Sequence, residues 1–161
     1  MNKTKKGFFL AEETLKIVIA VIVIVFLIYF VASLYFSAKD TENLKFAEQS
    51  LKYLTDQIGL KTAEIQIYNP TGWSILSWPF ENKLPLSCSN LGWEKCLCIC
   101  KKPLLANNAN YLDNCEQTGS KAICAESNFT VIGKGGAQIP IIIENPPLNL
   151  GIDYDNKKIS Q

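Results

Sequence analysis

The sequence predicts an α+β fold: a long N-terminal helix, membrane-spanning and then amphipathic, packed on a small antiparallel β-sheet head with disulfides. Three observations lead to this prediction. Residues 17–36 carry no charge, residues 37–58 carry an apolar stripe at helical spacing, and all six cysteines fall within residues 88–124. The expected domains are a short basic leader at residues 1–7, the helix at 8–58 and an extracellular, disulfide-rich β head at 59–161.

Composition excludes several classes of function. The chain of 161 residues carries a formal net charge of +1 and contains neither histidine nor arginine. Nothing in this charge balance favours a nucleic-acid partner. The lack of histidine removes the serine and cysteine catalytic arrangements that depend on it, together with histidine-containing metal sites. No catalytic constellation is present, so we expect no enzymatic activity, no cofactor and no bound metal.

The uncharged run at residues 17–36 is the strongest single signal. As a helix it spans roughly 30 Å, the thickness of the hydrocarbon core of a bilayer. A lone segment in lipid has to be helical, because every backbone N–H needs a partner within the segment. The alternatives are a buried core helix or a cleaved secretory signal, for which Val31-Ala32-Ser33 is a marginal cleavage site. The run is long for the apolar region of such a signal.

Charges on the two sides of the run set its orientation. Lys3, Lys5 and Lys6 precede it with no acid among the first eleven residues, whereas Lys39 beyond it is followed at once by Asp40 and Glu42. The positive-inside rule places the N-terminus in the cytoplasm and the head outside the cell. Disulfides persist in that compartment.

The helix is predicted to continue beyond the membrane to residue 58. Apolar residues recur there at intervals of three and four, which makes one stripe along a helix. Gly59 suits the position that closes a helix. A short coiled-coil stalk is the alternative, but packing of the stripe on the protein's own head is favoured. The stripe consists of Leu44, Ala47, Leu51, Leu54 and Ile58.

The stretch "KKGFFLAEETLK" resembles the type IV prepilin signal, also called the class III signal of archaeal surface filaments. The matching residues are Lys5, Lys6, Gly7, Phe8, Leu10 and Glu12, and the resemblance covers about residues 3–58. It implies that a membrane-embedded prepilin peptidase cuts the Gly7–Phe8 bond. It also implies that Glu12 accepts the new terminal amine of a neighbouring subunit. The expected protein is a pilin-like subunit of a cell-surface filament, or of a secretion or adhesion pseudopilus, with membrane lipid and other pilin-like subunits as partners.

One departure from this family leaves another function open. Glu13 and Lys16 add charges where family members are apolar, and Lys16 is placed to neutralise Glu12 or Glu13 within the same helix. The two acids also suit an ordinary helix N-terminus. These charges favour a minor or non-assembling pilin-like protein. The alternative from a different class is an unprocessed single-span membrane protein with an extracellular binding domain.

The head is predicted to consist of strands and loops. Pro70 and Gly72 suit a tight turn between "AEIQIY" and "WSILSW", which predicts a hairpin. Further strands are expected at "KCLCIC", "FTVIG" and "QIPIIIE". Residues 101–114 and the Pro146-Pro147 region are predicted as loops, and residues 156–161 as a frayed tail.

Cys96, Cys98 and Cys100 share one face if they lie on a strand. Neighbouring Cα atoms in the trio would then be about 6.6 Å apart and the outer pair about 13 Å apart. Disulfides need Cα separations of about 4.4–6.8 Å, so bonds inside the trio are disfavoured. Each should therefore pair with a different one of the remaining cysteines, in an order that stays open. A thiolate metal cluster is the disfavoured alternative. The remaining cysteines are Cys88, Cys115 and Cys124.

Three weaker signals remain in the head. Trp73, Trp78 and Trp93 could form a platform for sugar stacking, but core packing is the favoured interpretation. The run "DYDN" at residues 153–156 lacks a full calcium ligand series, so we expect a solvated turn. Asn128 begins the sequon Asn-Phe-Thr and is a candidate N-glycosylation site.

Overall fold

The computed structural model describes residues 5–103 and 108–161, with side chains described for 13–103, 111 and 113–161. Its fold is α+β, as predicted. The chain divides into one compact unit that ends at Lys39 and another at Asp40–Gln161. In chain order the elements are α1 (Lys5–Gly59), β1 (Glu64–Ile67), β2 (Trp73–Trp78), α2 (Leu86–Ser89), β3 (Cys96–Lys101), α3 (Asn108–Glu116), β4 (Ala122–Glu126), β5 (Thr130–Ile132), β6 (Ile141–Ile142), β7 (Leu148–Asp153) and β8 (Lys158–Ser160).

Helix α1 is one continuous element and slightly longer than predicted. It begins at Lys5, so it includes the last three residues of the predicted leader. Gly7 does not interrupt it, since a single glycine weakens a helix without ending it. At the other end the left-handed residue is Lys61, with φ of 57°, and not Gly59 as predicted. The Thr62 N–H donates to the Gln57 carbonyl and the Lys61 N–H to the Ile58 carbonyl, which is a Schellman closure.

The strands of the head form two four-stranded sheets. Sheet A has the order β1-β7-β8-β5, and sheet B has the order β4-β3-β2-β6. Pairing is antiparallel except between β5 and β8, which run parallel. Strand β1 alternates exposed and buried residues, whereas β2 is buried along its whole length. Sheet B is therefore covered on both faces. In sheet A the edge strand β1 has one buried and one exposed face.

The central core joins α1 to both sheets. The stripe predicted on α1 lies in this core, with Ala47 and Leu54 fully buried and Leu51 2% exposed. The same buried cluster contains Ile65 of sheet A and Ile99 of sheet B. The predicted packing of the stripe on the head is confirmed.

A second buried cluster, here called the cysteine layer, covers the other face of sheet B. It contains five fully buried cysteines and apolar neighbours from β2 and α3. Residues that alternate along β3 divide between the clusters, so Leu97 and Ile99 face the central core while the cysteines face α2 and α3. The cysteines of the layer are Cys88, Cys96, Cys98, Cys100 and Cys115.

Three predictions about the head were wrong. Strands β1 and β2 do not form a hairpin, because the fully buried β2 pairs with β3 and β6 in sheet B while β1 pairs with β7. Part of the predicted loop 101–114 is helical, because helix α3 begins at Asn108. A disulfide from Cys115 of this helix to Cys100 holds the helix against β3. The predicted frayed tail contains β8, which lies between β7 and β5 and buries Ile159 completely.

Truncating Leu54, which is fully buried in the central core, should destabilise the head. We expect Leu54→Ala to lower the free energy of unfolding by about 2–5 kcal/mol, because it removes apolar contacts and leaves a cavity. Chemical denaturation of the full chain in lipid nanodiscs, followed by tryptophan fluorescence, measures the change. Leu60→Ala is the control, since Leu60 is 73% exposed and should change stability by no more than about 0.5 kcal/mol. Equal effects of the two variants would contradict the assignment of α1 to the core.

Candidate functional site

The N-terminal processing segment lies at the start of α1. The backbone of Gly7 and Phe8 is helical, and the side chain of Glu12 lies outside the described residues. Glu13 is exposed. The predicted roles of Gly7, Phe8 and Glu12 stay predictions, because they depend on a peptidase and on neighbouring subunits.

The apolar half of α1 is long and apolar enough to cross a membrane, with a mean hydropathy of 3.2. Its large apolar side chains from Leu15 to Phe36 range from 49% exposed at Val23 to 72% at Tyr29. A contiguous apolar surface of this size is rare on soluble proteins and marks contact with lipid or with other proteins. Within the described part of the chain, no packed element covers it.

The three cysteines of β3 share one face, as predicted, and each is bonded to a cysteine outside the strand. The disulfides are Cys88–Cys96, Cys98–Cys124 and Cys100–Cys115, with Cα separations of 6.3, 4.1 and 5.3 Å. Cys98 and Cys124 are direct partners in the antiparallel pairing of β3 with β4. The other two bonds attach α2 and α3 to the same strand.

Two of the disulfides lie side by side. The Sγ atom of Cys98 is 3.9 Å from that of Cys96 and 4.0 Å from that of Cys88. All four Sγ atoms, including that of Cys124, lie within 4.8 Å of one another. Four thiolates so arranged would suit a soft metal ion, but a sulfur held in a disulfide is not a thiolate ligand. In the oxidised head these sulfurs therefore act as packing atoms, three of them buried and that of Cys124 partly buried.

The tryptophans and the acidic turn have structural roles. Trp73 and Trp78 are each 2% exposed, and Trp93 is half-buried against the cysteine layer, so core packing is confirmed for them. Asp153 accepts hydrogen bonds from the backbone N–H and side-chain amide of Asn156, at 3.0 and 2.8 Å. These bonds, the side-chain one foremost, hold the pKa of the Asp153 carboxyl below its ordinary value. The group closes an exposed turn.

The sequon asparagine lies in an accessible position. Asn128 is exposed in the connection between β4 and β5, whereas Phe129 beside it is half-buried. The Phe129 ring packs edge-on against Tyr154 with ring centroids 5.7 Å apart. Tyr154 is partly desolvated, which raises its pKa, and its hydroxyl donates to the Thr62 carbonyl at 2.8 Å. The segment holding the sequon is thus tied to the end of α1 while Asn128 stays accessible.

A groove with one wall from α1 and one from β1 was not predicted. Tyr53 on α1 and Tyr68 after β1 line it and are 45% and 54% exposed. Tyr53 falls between stripe positions on the helix, and Tyr68 ends the predicted strand "AEIQIY". Their exposure could have been inferred from those periodicities, but their proximity depends on how the helix packs on the sheet.

The class of this protein is defined by its fold alone. It is an α+β protein with a long apolar N-terminal helix and a disulfide-bonded head of two sheets. No protein-family model matches the chain, and no curated protein or solved structure shows significant similarity to it.

Mapping of the disulfides tests the cysteine layer. We expect three bonds, Cys88–Cys96, Cys98–Cys124 and Cys100–Cys115, and no free thiol. Proteases rarely cut within "CLCIC", so partial reduction with stepwise alkylation and mass spectrometry is the suitable measurement. A bond joining two members of the β3 trio would contradict the strand geometry.

Removing a whole bond should destabilise the head without creating an odd thiol. The Cys100–Cys115 bond spans 15 residues, so a double replacement by alanine should cost on the order of 3 kcal/mol in the chain-entropy model. Denaturation of the double variant and of the parent under non-reducing conditions gives the difference.

Proposed function

We propose that this chain is a pilin-like subunit, cleaved after Gly7, anchored in the cell membrane by α1 and carrying its disulfide-bonded head outside the cell. After cleavage it would join other subunits in a surface filament or in a secretion or adhesion pseudopilus. The observation that carries the proposal is the combination of a basic leader ending in Gly7 with an uncharged apolar run that starts within ten residues of it, at residue 17.

The exposed apolar half of α1 supports this proposal. Side chains such as Ile28, at 65% exposed, have no cover from the described part of the chain. In a membrane, lipid would cover them; in a filament, the helices of neighbouring subunits would. Cleavage on the cytoplasmic side removes the leader and leaves the helix, so the same surface could serve in both places.

Charge and sulfur chemistry support the orientation. Lys3, Lys5 and Lys6 cluster before the apolar run, as the positive-inside rule expects for a cytoplasmic N-terminus, whereas Lys39 beyond the run is followed at once by acidic residues. Disulfides are typical of the compartment outside the membrane. Membrane lipid, the peptidase and other subunits are the partners that this function requires.

The role proposed for Glu12 follows from the cost of a charge in apolar surroundings. A carboxylate there is unfavourable unless it is paired. Packing of neighbouring helices in the register that brings the Phe8 amine of one subunit to Glu12 of the next would therefore be favoured. Lys16 is the competing partner within the same helix.

The charged turn of Glu12, Glu13 and Lys16 favours a minor or non-assembling pilin-like protein. The second candidate, of a different class, is a single-span protein that keeps residues 1–7 and presents an extracellular binding domain. The mass of the mature chain separates the two candidates. Chains purified from the native membrane that retain residues 1–7 would exclude the pilin-like function.

Replacement of Gly7 tests the cleavage. We expect Gly7→Leu to block removal of residues 1–7, because such peptidases require a small residue before the scissile bond. Intact-mass measurement of membrane-extracted protein should show the unprocessed chain only. Gly59→Ala is the control, since a Cβ at Gly59 meets no atom within 4 Å. Normal processing of Gly7→Leu would mean that another protease or another bond is involved.

Replacement of the charged turn tests assembly. We expect Glu12→Ala to be processed normally but to be depleted at least several-fold from sheared surface filaments, with a smaller loss for Glu13→Ala. The ratio of filament-bound to membrane-bound subunit, measured by immunoblotting, provides the comparison. If Glu12→Ala, Glu13→Ala and Lys16→Ala behave alike, an intrahelical pair replaces the intersubunit one.

A further inference from the structure

The groove with walls from α1 and β1 has the size of a small-molecule site. Its volume is about 640 Å³, and the described residues that line it all belong to the unit formed by residues 40–161. Binding sites for small molecules commonly occupy about 300–1,000 Å³ and combine aromatic surface with a few placed polar groups. The lining of this groove meets both conditions.

The aromatic surface comes from Tyr53 and Tyr68. Both rings are about half exposed, although burial of such rings is strongly favourable. The Tyr68 hydroxyl donates a hydrogen bond to Oε1 of Gln66 at 2.8 Å, which limits rotation of both side chains. Because Gln66 accepts through its oxygen, its Nε2 group is left to donate to a ligand.

The two walls are held in place before any ligand arrives. Ser50 on α1 donates a hydrogen bond to the carbonyl of Asn69, which follows β1, at 2.5 Å. On the inner side of the walls, Leu51 and Ile67 are buried in the central core. A site whose walls are already fixed loses less conformational entropy when it binds.

The polar groups of the lining are amides, hydroxyls and one carboxylate. Gln49, Gln66 and Asn69 supply amides and Glu64 the carboxylate, and no lysine is among the described residues that line the groove. Amides and hydroxyls both donate and accept hydrogen bonds, while a carboxylate only accepts them, through two oxygens. A phosphate or a nucleic acid would meet the Glu64 charge without a compensating cation.

We propose that this groove binds a carbohydrate of one or two pyranose units. The apolar C–H face of a pyranose ring packs on Tyr53 and Tyr68, and its hydroxyls, which both donate and accept, pair with the amides and with Glu64. An extended peptide added to β1 is the competing occupant. It fits the lining less well, because its affinity would come from main-chain pairing with β1, which leaves the amide side chains and Glu64 without partners.

The carbohydrate site does not depend on cleavage after Gly7 or on filament assembly. Every described residue that lines the groove comes after Asp40, so its binding can be tested on processed or unprocessed chain. Failure of the pilin-like function leaves the site intact, and failure of the site leaves the pilin-like function intact.

Saturation-transfer NMR on the full chain in lipid nanodiscs provides the test. Nanodiscs replace maltoside detergents, whose headgroups are themselves sugars. The probes are maltose, lactose, chitobiose and mannobiose at millimolar concentration. We expect transfer to the C–H protons of at least one probe, and titration of that probe gives the affinity.

Variants then locate the site. Tyr53→Ala and Tyr68→Ala should each weaken binding about tenfold or more, whereas Tyr68→Phe should weaken it less because the ring is kept. Leu91→Ala, which truncates a side chain 63% exposed, is the control and should bind as the parent does. Circular dichroism and intact disulfides verify the fold of each variant.

Three results would overturn the proposal. The first is absence of transfer to all four sugars, and the second is unchanged affinity in both tyrosine-to-alanine variants. The third is a chain that binds no sugar but binds peptides on an immobilised array, and loses this peptide binding in Tyr68→Ala. That result would make the groove a peptide site.

Discussion

Burial of one face of α1 beyond Lys39 is the interaction on which the head depends. Ala47, Leu51 and Leu54 lie in a single cluster with residues from both sheets, so the helix covers apolar surface that neither sheet could cover for the other. Burying such side chains is the main favourable term in folding. The same helix carries the exposed apolar residues before Lys39, so the segment suited to a membrane and the segment that completes the core are consecutive parts of one element. A truncation that extended past Lys39 into the stripe would also open the core.

Full burial of sheet B follows from this arrangement. With α1 and sheet A on one face, its other face would be exposed apolar surface unless something covered it, and α2 and α3 are too short to do so by apolar contacts alone. The disulfides of the cysteine layer supply the missing attachment, and they add polarisable packing atoms. Small domains bury a limited fraction of their surface, and covalent links of this kind are the usual supplement.

The parts of the fold that depend on local periodicity were predictable, and the parts that depend on burial across the chain were not. Spacing along one helix predicted Ala47, Leu51 and Leu54 as a packed stripe, and the period of a strand predicted which cysteines share a face. The turn at Pro70 and Gly72 has hairpin chemistry, yet β2 is buried on both faces and can only lie inside a sheet. Its partners β3 and β6 come from distant segments. Strand β8 was missed for a different reason: it forms a hairpin with the preceding β7, but it has only three residues and follows a polar run. Helix α3 has an asparagine-rich, weakly amphipathic sequence, and its position depends on the Cys100–Cys115 bond.

The same distinction separates the two kinds of site. Gly7, Phe8 and Glu12 are adjacent in sequence, so a motif can indicate them while their partners lie on other molecules. Tyr53 and Tyr68 are brought together only when the stripe of α1 packs on sheet A, and no linear pattern encodes that proximity. Their position on the flank of the packed helix is also why they stay exposed, since the buried face is already occupied by Leu51 and Leu54. A helix that anchors the head through one face thus leaves its flank available for a ligand, and this availability is independent of what happens to the residues before Lys39.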